Sequence, residues 1–449
     1  MVLARLSREF EGTAVSGTVI GGDHSDYEKL RKVWNGLWDR RPAAIVRARN
    51  ESDVATVVRV AAEHGTLLAI RCGGHSFPGL STCDDGIVLD LSQMCRVVVD
   101  PVARVAEVGG GVLLGHLDAA GSAAGLATPA GVVSHTGVAG LTLGGGMGWL
   151  SRRFGLTIDN LLSADVVTAD GRLVSASPDS EPELFWGLRG GGGNFGVVTK
   201  FRFRMYPLGP VLVGRWDYPP EAFAAVLRGY RDLAAHAPRE LTTAFTMTAT
   251  NLSLTAFWSG SAEGSEAVVR AFGMLARPRS GMVGGQTFLE LQSRSDAHFA
   301  WGRRYYAKGG FLRDLEDRVI DCLVDSIAGA PTPDSELYCL QLGGAITDVE
   351  EDATAYSGRS ASFYWIAEPV WDDPDDDTRC LHWGRQAAKN LSAMSEAGNY
   401  VNEQADVGKD VSYGAYGAAK YERLAGLKTR FDPSNLFQLN QNIEPKQGI

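Results

Sequence analysis

The sequence predicts an α+β fold of two domains, the second built on an antiparallel sheet covered by helices. Three observations lead there. At 449 residues the chain is long enough for two sizeable cores. Its glycines, 54 in all, gather into clusters before residue 200. Past Pro207-Leu-Gly-Pro210 glycine thins out and longer strands alternate with longer helices, which places a domain boundary there.

In chain order, Ala43, Ile45 and Val46 read as a short strand, and Ser52-Asp53 as the N-cap of a helix over 54–64 that Gly65 ends. A second strand at 67–70 completes a βαβ unit. The following Arg71-Cys72-Gly73-Gly74-His75-Ser76 therefore leaves the C-terminal end of a strand, where α/β folds collect ligands. Paired glycines let backbone approach a bulky ligand. Taken alone, the hexapeptide also reads as a tight turn with a surface histidine. A strand at 86–91 follows, then a hairpin, 96–99 and 104–108, around Asp100-Pro101, and a helix over 112–124 that Gly125 ends.

A second cluster, residues 131–148, holds seven glycines in eighteen residues: Gly131, Gly137, Gly140, Gly144, Gly145, Gly146 and Gly148. Each glycine costs about 0.5–1 kcal/mol relative to alanine inside a helix, so neither helix nor strand is expected, but close backbone approach is. The segment lacks Gly-x-x-x-x-Gly-Lys-Ser/Thr, which excludes a P-loop. A hairpin on the Asp170-Gly171 turn follows. In the third cluster Gly191, Gly193 and Gly196 satisfy Gly-x-Gly-x-x-Gly. The context is reversed, because the motif follows a helix at 183–188 and opens a strand at 197–206, so a dinucleotide fingerprint of the Rossmann kind is rejected.

Beyond the boundary, strands are expected at 211–218, 241–248, 252–258, 336–342 and 362–370, with helices at 221–235, 265–275 and 313–328. Helices on one face of such a sheet leave the other face to roof a ligand. The run from Asp372 to Asp377 lacks the spacing of a calcium loop and reads as a solvated cap for the next helix. Near the end come Tyr400-Val-Asn402-Glu403, a helix at 416–430, and an amide-rich stretch containing Asn435, Asn440 and Asn442. Buried amides must be hydrogen-bonded, so a polar ligand is an expected partner.

Net charge is −10 with 45% apolar and 21% charged residues and no basic run, which disfavours nucleic acid and anionic membranes. Six cysteines without a Cys-x-x-Cys pair fit reduced thiols, Cys72 being the one beside the histidine. The opening Met1 to Phe10 lacks a leader pattern and no long apolar stretch occurs, so a cytoplasmic chain is expected.

Together these pieces resemble the berberine bridge enzyme-like FAD-linked oxidases of the vanillyl-alcohol oxidase/p-cresol methylhydroxylase (PCMH) superfamily. The resemblance rests on Arg71-x-Gly-Gly-His75-Ser76, the Gly131 to Gly148 run, Asp159-Asn160, Arg189 to Thr199 with Gly196-Val197, and the terminal Asp432-Pro-x-Asn435 and Asn440-x-Asn442 elements. It spans about residues 40 to 210 and 400 to 445, and leaves the middle of the chain unmatched. It implies a PCMH-type FAD-binding domain at 1–208, a substrate-binding α+β domain at 209–398 and a C-terminal return at 399–449. His75 matches the histidine bonded through a ring nitrogen to the flavin 8α carbon, an attack that needs neutral imidazole. Arg71, Cys72, Gly73, Gly74, Ser76, Val133, Thr136, Leu141, Asn160, Asn402, Asn440 and Asn442 join the glycines of the clusters as implied cofactor contacts.

Two departures from the family pattern carry information. Many relatives tether the flavin a second time through a cysteine where this chain has Val133, so a single bond is implied, as in monocovalent bacterial members. Sugar-oxidising relatives read Tyr-x-Asn-Tyr where this chain has Tyr400-Val-Asn402-Glu403, so the proton acceptor is either Glu403 or, on the sheet, Glu368, unless both are salt-bridged surface residues. The implied reaction removes two hydrogens from an alcohol or amine carbon of a small molecule, hydride passing to flavin N5 and dioxygen giving hydrogen peroxide. Family type points to secondary-metabolite tailoring by a monomer or homodimer. Rival readings are an oxygenase working through an oxygen adduct at N5, with Thr136 and Leu141 lining the oxygen site, and a flavin-binding protein without turnover. Trp301, Tyr305, Tyr306, Trp365 and Trp371 would suit a flat or polyketide-like ligand, although aromatics in such a domain are more often core.

Overall fold

The computed structural model describes residues 15–446, so the opening decapeptide lies outside the described residues. Its first sheet contains β1 (Thr18–Ile20), β2 (Ala44–Arg47), β3 (Leu68–Arg71) and β4 (Ile87–Asp90) in the order β1-β2-β4-β3. Both β2 and β3 run parallel to β4, which separates them, so the βαβ crossover skips one strand. The connecting helix is Glu51–His64, capped by Asn50, whose side chain accepts from the Asp53 amide, and closed by Gly65 in the left-handed region at φ 60°. It begins earlier than expected because Asn50, not Ser52, is the cap; the Asp53 carboxylate instead accepts from the Arg49 and Ser16 amides.

A second sheet holds β5 (Val97–Asp100), β6 (Val105–Gly109), β7 (Leu161–Val167), β8 (Leu173–Ala176) and β9 (Val197–Arg204), ordered β5-β6-β9-β7-β8 and antiparallel throughout. Helices Leu114–Ala123 and Pro182–Leu188 pack there with Phe201 and Phe203. The last long helix, Lys409–Phe431, returns to the same core through Leu424, Leu427 and Phe431. It starts before the expected 416 because a shorter helical stretch precedes the main one, the two joined at a kink where Gly417 adopts φ 71°, ψ 168°. Lys428, fully buried, ties its end down by donating to Asp432 at 2.7 Å and to the Asn194 and Phe437 carbonyls.

The glycine cluster corrects one expectation, because Val138–Gly144 is a helix. Burial of Val138, Ala139, Thr142 and Leu143 offsets the propensity cost of its glycines, and their missing side chains create the room that other groups use.

The remaining sheet has seven strands: β10 (Val211–Tyr218), β11 (Leu241–Met247), β12 (Leu252–Trp258), β13 (Ser280–Gln286), β14 (Lys308–Leu312), β15 (Glu336–Gln341) and β16 (Phe363–Glu368). Their order is β13-β10-β12-β11-β15-β16-β14, every pair antiparallel. One face packs Trp216, Phe245, Cys339 and Trp365 against helices that include Phe223–Ala234, Asp317–Ala328 and Asp377–Ser392. The other turns toward the glycine-rich half. β13 and β14 are not foreseen in the sequence because their glycines read as loop. Those glycines admit aromatic rings: a Cβ on Gly281 would stand 2.5 Å from Trp216, and one on Gly309 2.0 Å from the Tyr364 hydroxyl. A buried ion pair, Arg359 with Asp159 at 2.7 Å, joins this half to the first. In the aspartate run, Asp373 caps the turn Pro374–Asp376, and Asp377 pairs with Arg304 at 2.5 Å.

Candidate active site

Between the seven-stranded sheet and the glycine clusters lies a cavity of about 680 Å³. The Cys72-Gly73-Gly74-His75-Ser76 loop forms one wall, since β3 ends at Arg71 and releases the chain there. The His75 ring stacks on Trp34 at 4.6 Å, and its Nε2 meets His135 Nδ1 at 2.6 Å. Among the described residues its Nδ1 has only the Thr136 hydroxyl, 3.4 Å away. Burial, reinforced by His135, pushes the His75 pKa down to about 3, so the ring is neutral at physiological pH.

Gly131, Val133, Thr136, Gly137, Gly140 and Leu141 line the cavity beside His75, as do Gly196, Val197 and Asn440. The loop and the second cluster meet backbone to backbone, because a Cβ on Gly73 would come within 2.3 Å of the Gly137 amide. The other expected cofactor residues fall outside the lining. Arg71 is locked to Asp90 at 2.7 Å, and Asn160 donates to the Phe154 and Leu156 carbonyls. Gly144, Gly145, Gly146 and Gly148 are packing sites against Asn402, Tyr356, Thr157 and Ala130. Asn442 is half-buried, its Oδ1 enclosed without a hydrogen-bond partner among the described residues.

Asn402, in the turn Val401–Glu403, donates to the Leu141 carbonyl at 3.0 Å and to the Tyr400 hydroxyl at 2.9 Å. That hydroxyl accepts from the Gly146 amide at 3.1 Å, and burial pushes the Tyr400 pKa up. Both contacts hold Glu403 at the cavity wall. Burial raises the Glu403 pKa to about 7, moderated by the Tyr364 phenol, and no cation acts on it. Glu368 faces the same space, 3% exposed and with Oε1 unpartnered, so neither glutamate is a salt-bridged surface residue. Because a Cβ on Gly144 would lie 2.2 Å from Asn402 Oδ1, Gly144→Ala is expected to destabilise by about 1–3 kcal/mol and to slow turnover. An unchanged melting temperature and rate would mean that the turn simply moves aside.

Several lining residues carried no legible sequence signal: Trp34, Phe77, Arg215, Arg294, His298 and Glu336, and neither did His135, which contacts His75 from behind the lining. Of the five aromatics expected to offer a flat surface, Tyr305, Tyr306, Trp365 and Trp371 are core, and Trp301 stands half-exposed, edge-on to His75. All six cysteines are free.

Known proteins share this arrangement. A profile described as FAD binding domain matches residues 42–177, and one described as berberine and berberine like matches 399–444. An FAD-linked oxidoreductase of Dictyostelium discoideum is 30% identical over 441 residues, covering 97% of this chain and 96% of that protein. The chain belongs to the berberine bridge enzyme-like family of FAD-linked oxidoreductases. Within the family, (R)-6-hydroxynicotine oxidase of Paenarthrobacter nicotinovorans is 41% identical over 195 residues, 43% of each chain. The crystal structure of 6-hydroxy-D-nicotine oxidase from Arthrobacter nicotinovorans superposes with a TM-score of 0.88 at 26% identity, covering 96% of this chain and 99% of that one. Membership sets aside a flavin-binding protein without turnover. It also identifies the fold as PCMH-type, with the antiparallel sheet and its helices as the second layer.

The cavity fits FAD on its own terms. Gly140 and Gly193 would each point a Cβ into open space, leaving a trough floored by backbone. Asn440 Oδ1 and Gln441 Oε1 are buried at its edge without protein partners, acceptors that a ribityl or adenine donor can satisfy. Among the described residues no helix is long and apolar enough to cross a membrane.

Proposed function

We propose that this protein is an oxidase that holds FAD by a single bond from His75 and removes two hydrogens from an alcohol or amine carbon of a small molecule, with dioxygen as acceptor and hydrogen peroxide as product. In this reading 1–208 bind FAD, 209–398 bind substrate and 399–449 close the site. The observation that carries it is Glu403, a half-buried residue whose carboxyl is desolvated and has no countercharge among the described residues, facing the same cavity as His75. When bound, FAD supplies the two-electron acceptor. Glu403 takes the hydroxyl or amine proton, and its raised pKa matches it to work near neutrality. Asn402 and Tyr400 fix the turn that aims it, while Trp34 and His135 fix the His75 ring. The sheet face above excludes water from the reacting carbon.

The sign of the pH dependence follows from Glu403 being the acceptor. A raised pKa leaves the group protonated and unable to accept below about 7, and competent above it. Anaerobic reduction by a substrate drawn from an alcohol and amine panel should therefore rise about tenfold per pH unit below the midpoint and level off above it. Peroxide release on admitting air completes the test. A profile flat from about pH 5.5 to about pH 8.5 would remove Glu403 from the role.

A further inference from the structure

The sheet face over the cavity carries charges that holding FAD does not require. Glu336 on β15 and Glu368 on β16 stand directly opposite each other in register, 7% and 3% exposed. Side chains so placed have Cβ atoms about 4.5–5.5 Å apart, and like charges there destabilise the sheet. Among the described residues no cation acts on either carboxyl. Asp334 and Glu403 only add negative charge, and the Tyr338 and Tyr305 phenols nearby are held neutral by burial. His298 Nε2 comes within 3.4 Å of Glu336, but burial lowers the pKa of that ring and keeps it from being a countercharge. The arginines of the cavity are at its far end. Arg215 sits on β10, three strands from β15, or roughly 14 Å at ordinary strand spacing.

Glu368 Oε1 is thus a buried, unpartnered acceptor at the cavity wall, and His298 Nε2 is a second unsatisfied atom beside Glu336. We propose that Glu336 and Glu368 form a subsite for an organic ammonium group, so that the substrates of this enzyme are amines that bind with their positive charge. The proposal rests on the reading of this cavity as the substrate chamber. Among the described residues no group of three or more His, Cys, Asp and Glu could hold a metal ion. An ammonium N–H can donate to each carboxylate at once, forming charge-assisted bonds in a site walled from water. In the free protein a proton does that work. Desolvation and Asp334 push the Glu336 pKa up to about 8, and desolvation and Glu336 raise that of Glu368 well above the ordinary carboxylate range, so at neutral pH the pair retains a proton. An arriving ammonium displaces it, and its affinity rises with pH as that proton becomes easier to release.

Calorimetric titration of the holoenzyme with 2-phenylethylamine, 2-phenylethanol and phenylacetate compares cation, neutral and anion on one aromatic frame. The amine should bind at least about tenfold tighter than the alcohol, and the acid weakest. At neutral pH the apparent enthalpy for the amine should differ between buffers of different ionisation enthalpy, reporting a released proton. Glu336→Gln and Glu368→Gln should each weaken the amine about 10- to 100-fold while leaving the alcohol unchanged. Should either variant fail to fold, the wild-type comparison and its buffer dependence decide alone. Equal affinity for amine and alcohol, no proton release, binding of none of the three, or tight binding of added Mg²⁺ that excludes the amine would each overturn the subsite. No turnover is needed for these readings. Loss of amine binding with the pH profile of reduction intact sinks the subsite and spares the oxidase assignment, and the converse result does the reverse.

Discussion

His75→Ala is expected to abolish covalent attachment of flavin outright, so that the variant releases all its FAD on denaturation while the wild-type band stays yellow and fluorescent in a denaturing gel. The expectation follows from the state of the ring. Burial and His135 hold its pKa near 3, so the imidazole enters the reaction neutral. His135 engages Nε2 at 2.6 Å and the Thr136 hydroxyl lies 3.4 Å from Nδ1, so in the tautomer that donates from Nε2 to His135 the lone pair for the attack is at Nδ1. A second tether has no competent donor in reach. The family resemblance implies Val133 at the position where many relatives carry a second, cysteinyl tether. The nearest thiol, Cys72, is pushed up to about 12 by burial and bonds the Val112 carbonyl, so at neutral pH only about one part in 10⁵ is thiolate. Mass spectrometry of a digest should therefore find FAD on the His75 peptide alone. Colour that washes out of the denatured wild type, or a flavin-linked peptide containing Cys72, would falsify the assignment.

What the sequence discloses here is what local chemistry enforces. Gly65 ends a helix because φ is 60° there, and Asp170-Gly171 makes a hairpin because Gly171 adopts φ 76°. The glycine clusters announce a ligand wall, and the structure brings Gly73, Gly137 and Gly140 to one cavity. The same reasoning fails where a glycine serves a distant ring. Nothing near Gly281 or Gly309 signals Trp216 or Tyr364, so the two strands go unassigned in the sequence. Arg71 and Asn160 show the converse situation, since a polar side chain inside a ligand motif can be occupied with its own scaffold, as in the Asp90 pair and the bond to the Phe154 carbonyl. Strand alternation places Glu336 and Tyr338 on one face and Leu337 and Cys339 on the other. It does not say which face looks at the cavity, because that depends on how the whole sheet is laid over the glycine-rich half. His135 is the sharper omission. It sits two residues from Val133, but its meaning arises only when the 131–148 segment is folded against the His75 loop.

Glu403→Gln should slow anaerobic flavin reduction about 10²- to 10⁴-fold, the usual effect of removing a general base. The change is nearly isosteric, so the turn held by Asn402 and Tyr400 stays in place and the visible spectrum of the flavin should not move. Reoxidation by air should also be unaffected. The choice between the two buried carboxyls rests on what each already does. Glu368 lies opposite Glu336, and desolvation together with that neighbour raises its pKa well above the ordinary carboxylate range, which makes it the poorer proton acceptor of the two. Glu403 answers mainly to burial, relieved by the Tyr364 phenol, and titrates near 7. Glu368→Gln should accordingly lower the affinity for an amine substrate while the reduction rate at saturation changes by less than about tenfold. The pH profile separates the cases again, because in Glu403→Gln the rise through about 7 should vanish along with the rate. If Glu368→Gln instead removes that rise and Glu403→Gln preserves it, proton transfer belongs to the sheet, and Glu403 serves only to shape the turn beneath it.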